Sequence, residues 1–196
     1  GARWSAVHAA RTGPGGAAGR MGETGGGRDE LGAPVERREL PLGSDAEGPV
    51  VATLGRVAAS VTRVVRRVLA SSELSDVDVL YVHGWSDYFF QAEHALWWEK
   101  QGARFFALDL RKYGRSLRPG QSPGFVDDLR TYDEDIAAAL DVIRAGTSRP
   151  RRLVLLGHST GGLTASLWAA RHPGELAALV LNSPWLELQT GGMGRE

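Results

Sequence analysis

From residue 77 onward, short apolar runs alternate with longer segments whose apolar residues recur every three or four positions. "VDVLYV" (77–82), "ARFFALDL" (103–110), "RRLVLLG" (151–157) and "LAALVLN" (176–182) read as strands. Three helices are predicted between them. "FFQAEHALWWEKQG" (89–102) closes at Gly102, "FVDDLRTYDEDIAAALDVIRAG" (125–146) has acids near its start and Gly146 past its end, and "TGGLTASLWAARHP" (160–173) stops at Pro173. Strands alternating with helices imply βαβ crossovers and a parallel sheet, and near-continuous apolar strands imply that both of its faces are covered.

Upstream the pattern changes. "ERRELPLGSDAEGPVVATLGRV" (36–57) places two strand-like runs around a Gly/Ser/Asp/Glu-rich turn, the signature of a hairpin. In "VTRVVRRVLA" (61–70) the valines and Leu69 follow helical spacing, with Arg63, Arg66 and Arg67 elsewhere on the wheel. Such a helix could lay a basic face on a membrane or a nucleic acid; solvated arginines above a core-facing stripe is the reading preferred for so short a segment. Residues 1–35 are rich in Gly, Ala and Arg and offer little apolar surface against their ordering entropy. They are expected to form a disordered tail before a single domain spanning 36–196.

Composition narrows the function. Basic and acidic side chains balance at 23 each, so no net field favours nucleic acid. Cysteine is absent, which removes disulfides, thiolate catalysis and Cys-ligated metal sites. No metal or cofactor is expected. No apolar stretch approaches the roughly 18 residues of a membrane span, and no secretory signal is visible. A cytoplasmic protein is expected, its oligomeric state left open. The chain begins with Gly1, so Met21 is a candidate natural start.

The chemistry concentrates at Gly157-His158-Ser159-Thr160-Gly161, a G-x-S-x-G match. Alone it is weak, since a chain of this composition gives on the order of 0.2 chance matches. Its place directly after a strand and directly before a helix is what a nucleophile elbow requires. A serine on so sharp a turn projects its oxygen from the top of the sheet. Its neighbours two positions away then approach closely, hence Gly157 and Gly161. The helix after it turns its free N–H groups toward the site, and Thr160 N–H is placed to receive an oxyanion. A second donor is expected from "VHGW": His83 supports the loop, Gly84 lets the backbone turn inward, and Trp85 N–H points beside Ser159.

"YVHGWSDYFF", "ALDLRKYGRS" and "LVLLGHSTGG", in that order, resemble the α/β-hydrolase fold, and within it the serine-aminopeptidase S33, monoacylglycerol-lipase-like (lysophospholipase-like) branch. The resemblance covers about residues 36–190. It implies an α/β fold, a mostly parallel sheet with helices on both faces, Ser159 as nucleophile, and Trp85 and Thr160 as the oxyanion hole. Two positions depart from the pattern: Ser86 where relatives often carry a second glycine, and Lys112 for the first glycine of the run from Asp109 to Ser116. In such a fold the acid and then the histidine follow the serine along the chain. Here the only later histidine is His172, at the far end of the helix that Ser159 opens, about 20 Å away. His158 diverges from its neighbour and reads as structural, and His94 as surface or packing. Glu187 is a possible acid, though a solvated loop carboxylate is the plainer reading. The resemblance therefore implies an incomplete fold, with the last strands, the cap and the triad histidine missing.

The leading functional expectation is a serine hydrolase of small or lipid-like esters, inactive in this form for want of acid and base. Aromatic residues near the expected mouth (Trp85, Tyr88, Phe89, Phe90 and Trp185) would suit an apolar acyl group, with core packing the competing role for Phe89 and Phe90. The alternatives are a non-catalytic remnant binding an apolar ligand or partner, and a peptidase of the same fold.

Overall fold

The structure is a computed structural model that describes residues 35–58 and 72–187. The expected tail and the 61–70 helix lie outside the described residues, except that Val35 already opens a strand. Six strands are seen: β1 (Val35–Asp45), β2 (Gly48–Val57), β3 (Val77–Val82), β4 (Arg104–Asp109), β5 (Arg152–His158) and β6 (Ala178–Asn182). Among the described residues, three α-helices accompany them: α1 (Ala92–Lys100), α2 (Tyr132–Ala145) and α3 (Thr160–Arg171). The strands form one sheet in the order β1-β2-β4-β3-β5-β6. β1 and β2 make the expected hairpin, β2 also runs antiparallel to β4, and β3, β4, β5 and β6 are mutually parallel where they pair. As the α/β-hydrolase resemblance implies, the sheet is mostly parallel with helices on both faces of its central strands, while β6 is largely exposed.

The strand residues alternate between two cores, as period-2 geometry demands. Leu80, Val82, Phe106, Leu108, Leu153 and Leu155 face α2 and α3, meeting Ile136, Leu140, Ile143, Ala165 and Trp168. Val79, Tyr81, Phe105, Ala107, Val154 and Leu156 turn the other way, toward Phe89 and Ala95 of the α1 side. Strands buried on both faces have no polar side to show, hence the continuous apolar runs.

Two helices begin later than the periodicity predicts. α1 starts at Ala92, because Phe89 drops into the core against Tyr81 and Phe105 at ring-centroid distances of 5.2 and 5.3 Å. Its backbone is pinned there: Phe89 N–H donates to Asp109 Oδ1 at 3.3 Å and its carbonyl accepts from Arg115 Nη2 at 3.1 Å. α2 starts at Tyr132; before it, Asp128 caps a 3-10 turn over Leu129–Thr131 by accepting from Arg130 N. Phe125, Val126 and Leu129, read as helix from sequence, instead line a cavity.

α2 is locked to the end of β4 by a buried pair. Asp135, with no exposure, accepts Arg111 N at 2.7 Å and Arg111 Nε at 2.6 Å, and Glu134 takes Arg111 Nη2 at 2.7 Å. Burial pushes the Asp135 carboxyl up to about 6 against the pull of the guanidinium. Removing one partner strands the other in the interior. Asp135→Ala is expected to cost about 3–5 kcal/mol in urea unfolding, and Asp135→Leu with Arg111→Met to recover most of it.

Candidate active site

Ser159 stands at the junction of β5 and α3 with φ 53° and ψ −121°, a backbone region that non-glycine residues rarely enter. Three hydrogen bonds hold it there. Its N–H donates to Asn182 O of β6 at 3.1 Å, and its carbonyl accepts from Gly162 N and Trp185 N, each at 2.9 Å. The side chain is half-buried, and among the described residues nothing hydrogen-bonds its hydroxyl.

The glycines flanking it are steric necessities. A Cβ on Gly157 would lie 2.5 Å from Gly161 O. One on Gly161 would collide with the carbonyl oxygens of His83 and Val82 at the end of β3. Gly162, which the motif did not single out, faces Pro184 with only 2.7 Å for an added Cβ. Its signal was present as the second glycine of "TGG", but the partner lies after β6.

The loop after β3 reaches the elbow. A Cβ on Gly84 would come within 3.0 Å of Ser159 Cβ, so the Trp85 segment is adjacent to the serine. Among the described residues, neither Trp85 N–H nor Thr160 N–H has a backbone or side-chain acceptor. Two amides thus stand uncommitted beside one serine. The Ser86 φ of 51° shows that the turn adopts a glycine-like conformation without glycine.

His83 fixes this loop. It is 1% exposed; its Nδ1 lies 2.7 Å from Gly84 O, and its Nε2 accepts Leu110 N–H at 3.1 Å. Accepting at Nε2 leaves Nδ1 as the protonated nitrogen, so the ring is neutral. Desolvation holds its pKa below the ordinary 6.5. The other histidines are engaged elsewhere: His158 Nδ1 is 3.2 Å from Asn182 O, His172 stacks on Trp168 with Nδ1 2.9 Å from Trp168 O, and His94 Nε2 accepts Trp98 Nε1–H at 3.0 Å. Glu187 is exposed at the last described position.

A cavity of about 340 Å³ opens beside the elbow. Gly84, Trp85, Thr160 and Gly161 of the elbow region line it together with Tyr113, Phe125, Leu129, Tyr132, Leu163 and Trp185. Ser159 does not itself line it. Of the expected mouth aromatics, Trp85 and Trp185 do; Tyr88 and Phe90 are exposed outside it, and Phe89 is core. No aspartate or glutamate lines this cavity among the described residues, and no cluster of them forms a metal site. No helix among them is long and apolar enough to cross a membrane.

Sequence analysis missed Asp109, whose buried carboxylate gathers this end of the sheet. Besides Phe89 N–H it accepts Arg115 N–H at 3.2 Å and Arg115 Nη1 at 2.9 Å, while its carbonyl takes Ser116 Oγ at 2.8 Å. The run from Asp109 to Ser116 is therefore a knot of loop contacts.

Residues 73–194 match the serine aminopeptidase, S33, family. The chain belongs to that family of α/β-hydrolases. It is 38% identical over 79 residues to an esterase of Oryza sativa subsp. japonica, covering 40% of this chain and 27% of that protein. It is 32% identical over 114 residues to the monoacylglycerol lipase of Mycolicibacterium smegmatis, covering 58% and 39%. Among solved structures, a thermostable carboxyl esterase from Bacillus coagulans superposes with a TM-score of 0.56 at 20% identity, covering 74% of this chain and 43% of that one. The chain thus spans less than half the length of these relatives. Its family is one of esterase- and lipase-type hydrolases.

Two outcomes test the site's construction. Gly161→Ala drives a methyl group into two fixed carbonyls and is expected to cost about 3 kcal/mol or more in denaturant unfolding. Because His83 has a depressed pKa in the folded chain, its contribution to stability is fully present above 6.5 and is lost as pH falls below it. The urea midpoint is expected to drop over that interval, at up to about 1.4 kcal/mol per pH unit, and the slope to flatten in His83→Asn.

Proposed function

We propose that this chain carries the nucleophile and oxyanion hole of a serine hydrolase acting on small or lipid-like carboxylic esters. The observation that supports this best is the pair of uncommitted amides, Trp85 N–H and Thr160 N–H, beside a strained serine whose hydroxyl has no partner among the described residues. In the reaction, Ser159 Oγ attacks the ester carbonyl carbon and gives up its proton. The carbonyl oxygen takes negative charge and is held by the two amides. Collapse expels the alcohol and leaves an acyl group on Ser159, which water then removes.

The apolar cavity favours an ester with an apolar acyl group over a peptide with a free amino terminus, since no carboxylate among the described residues of its wall could hold an ammonium. The names of the rice esterase and the mycobacterial lipase point the same way. The proton acceptor is another matter. Every described histidine is buried, turned to a backbone carbonyl or packed on an aromatic ring. A serine hydroxyl without a base is a weak nucleophile, so turnover by the 196-residue chain alone is proposed to be negligible.

An alkyl fluorophosphonate combined with mass spectrometry tests the assignment. The adduct is expected on Ser159, at least about a hundredfold faster in a version reading on past residue 196 that supplies a base. Ser159→Ala should abolish it in both. An extended, folded chain that is labelled elsewhere, or not at all, would refute the nucleophile.

A further inference from the structure

The β1–β2 hairpin contacts more than the sheet. Its turn bears Asp45 and Glu47, and both reach Lys112: Nζ donates to Asp45 Oδ2 and Glu47 Oε2, each at 2.6 Å. Lys112 is 3% exposed and sits at φ 60°, where an L side chain costs about 1–2 kcal/mol over glycine. Beyond the two carboxylates, its ammonium lies 6.0 Å from the centre of the Phe125 ring, and its backbone carbonyl accepts Gly124 N–H at 2.9 Å.

Three more ties run from the same hairpin to the next loop. Glu47 Oε1 accepts Ser122 Oγ at 2.6 Å, Pro49 O accepts Gln121 Nε2 at 3.0 Å, and Glu39 Oε1 accepts Arg118 Nη2 at 2.6 Å. The loop fastened in this way continues directly into Pro123, Gly124, Phe125 and Val126, which line the cavity, Phe125 being partly open to solvent at 54% exposure. That stretch has little regular structure of its own; only a short 3-10 turn separates it from α2.

We propose that Lys112, clamped by Asp45 and Glu47, is a positioning residue that sets the depth of the apolar cavity, and so the length of acyl chain the site accepts. The ammonium neutralises two carboxylates on one side and braces the Phe125 ring on the other. The hairpin thereby becomes the outer buttress of a pocket it does not itself line. The acyl-chain consequence rests on Ser159 being the nucleophile; the buttress itself does not.

The test has two arms. In the first, n-butanol, n-hexanol, n-octanol and n-decanol displace 1-anilinonaphthalene-8-sulfonate from the 196-residue chain. Affinity should rise about fourfold per methylene until the alcohol meets the Phe125 wall, then level off. Glu47→Gln and Lys112→Gly, the latter also relieving the backbone strain, should move that break to longer alcohols. Lys112→Arg should restore it, and Glu39→Gln, which cuts only the outer tie, should leave it in place. Urea midpoints identify any variant that has lost its fold. An unmoved break in folded Glu47→Gln and Lys112→Gly, or no alcohol binding by the unsubstituted chain, overturns the proposal.

In the second arm, ethyl and octyl fluorophosphonates compete for Ser159 in the longer chain. The octyl-to-ethyl rate ratio should rise at least about fivefold in the clamp variants while the ethyl rate holds. An unchanged ratio in folded variants also overturns the proposal. If neither probe labels Ser159, the nucleophile reading fails and the alcohol series alone decides the clamp.

Discussion

The site depends on one backbone approach: Gly161, in the first turn of α3, rests against the carbonyl oxygens of Val82 and His83 where β3 ends. That contact keeps the loop after β3 against the elbow, where an added Cβ on Gly84 would lie 3.0 Å from Ser159 Cβ. Parallel pairing of β3 with β5 brings it about, by placing Val82 opposite Gly157. The strain at Ser159 is then imposed from three directions, by Asn182, Gly162 and Trp185. A serine in this conformation costs of order 1–3 kcal/mol, and only surroundings this rigid can maintain it.

Around this centre the loops at the strand ends are knotted by buried polar groups. Asp109 ties the segment before α1 to the turn after β4, His83 ties the Trp85 loop to Leu110, and Arg111 ties that turn to α2 through Asp135. Each is a hydrogen-bonded or charged group in an apolar setting, where an unmet partner would be expensive. A rigid floor for an apolar cavity is thus assembled from polar links behind it.

β3, β4 and β5 were legible because burial on both faces leaves an unbroken apolar run, and the elbow because the Gly157 contact with Gly161 is local, although Gly161 itself answers to Val82 and His83 far upstream. Helix starts were less so. Phe89 and Phe90 share helical spacing with the apolar residues of α1, but Asp109 and Arg115 hold Phe89 outside the helix. No local pattern reports partners some twenty residues away. Lys112 shows the limit more sharply. In sequence it is a departure from a glycine; in the structure it is the anchor of a network whose acids lie 65 or more residues upstream. Gly162 was overlooked for the same reason, since Pro184 meets it only after β6 has folded back. The roles of Ser159, Trp85 and Thr160 remain proposals that rest on the chemistry such a turn permits.

The pairing of β3 with β5 also governs when the site can exist. The hairpin joins neighbours in sequence, whereas Val77 meets Arg152 only after the chain between them has closed a loop of about 75 residues. Non-local closures of this kind are slow steps in folding. A nascent chain therefore acquires its hairpin early and its serine geometry late, because the strained turn at Ser159 cannot form until β5 docks.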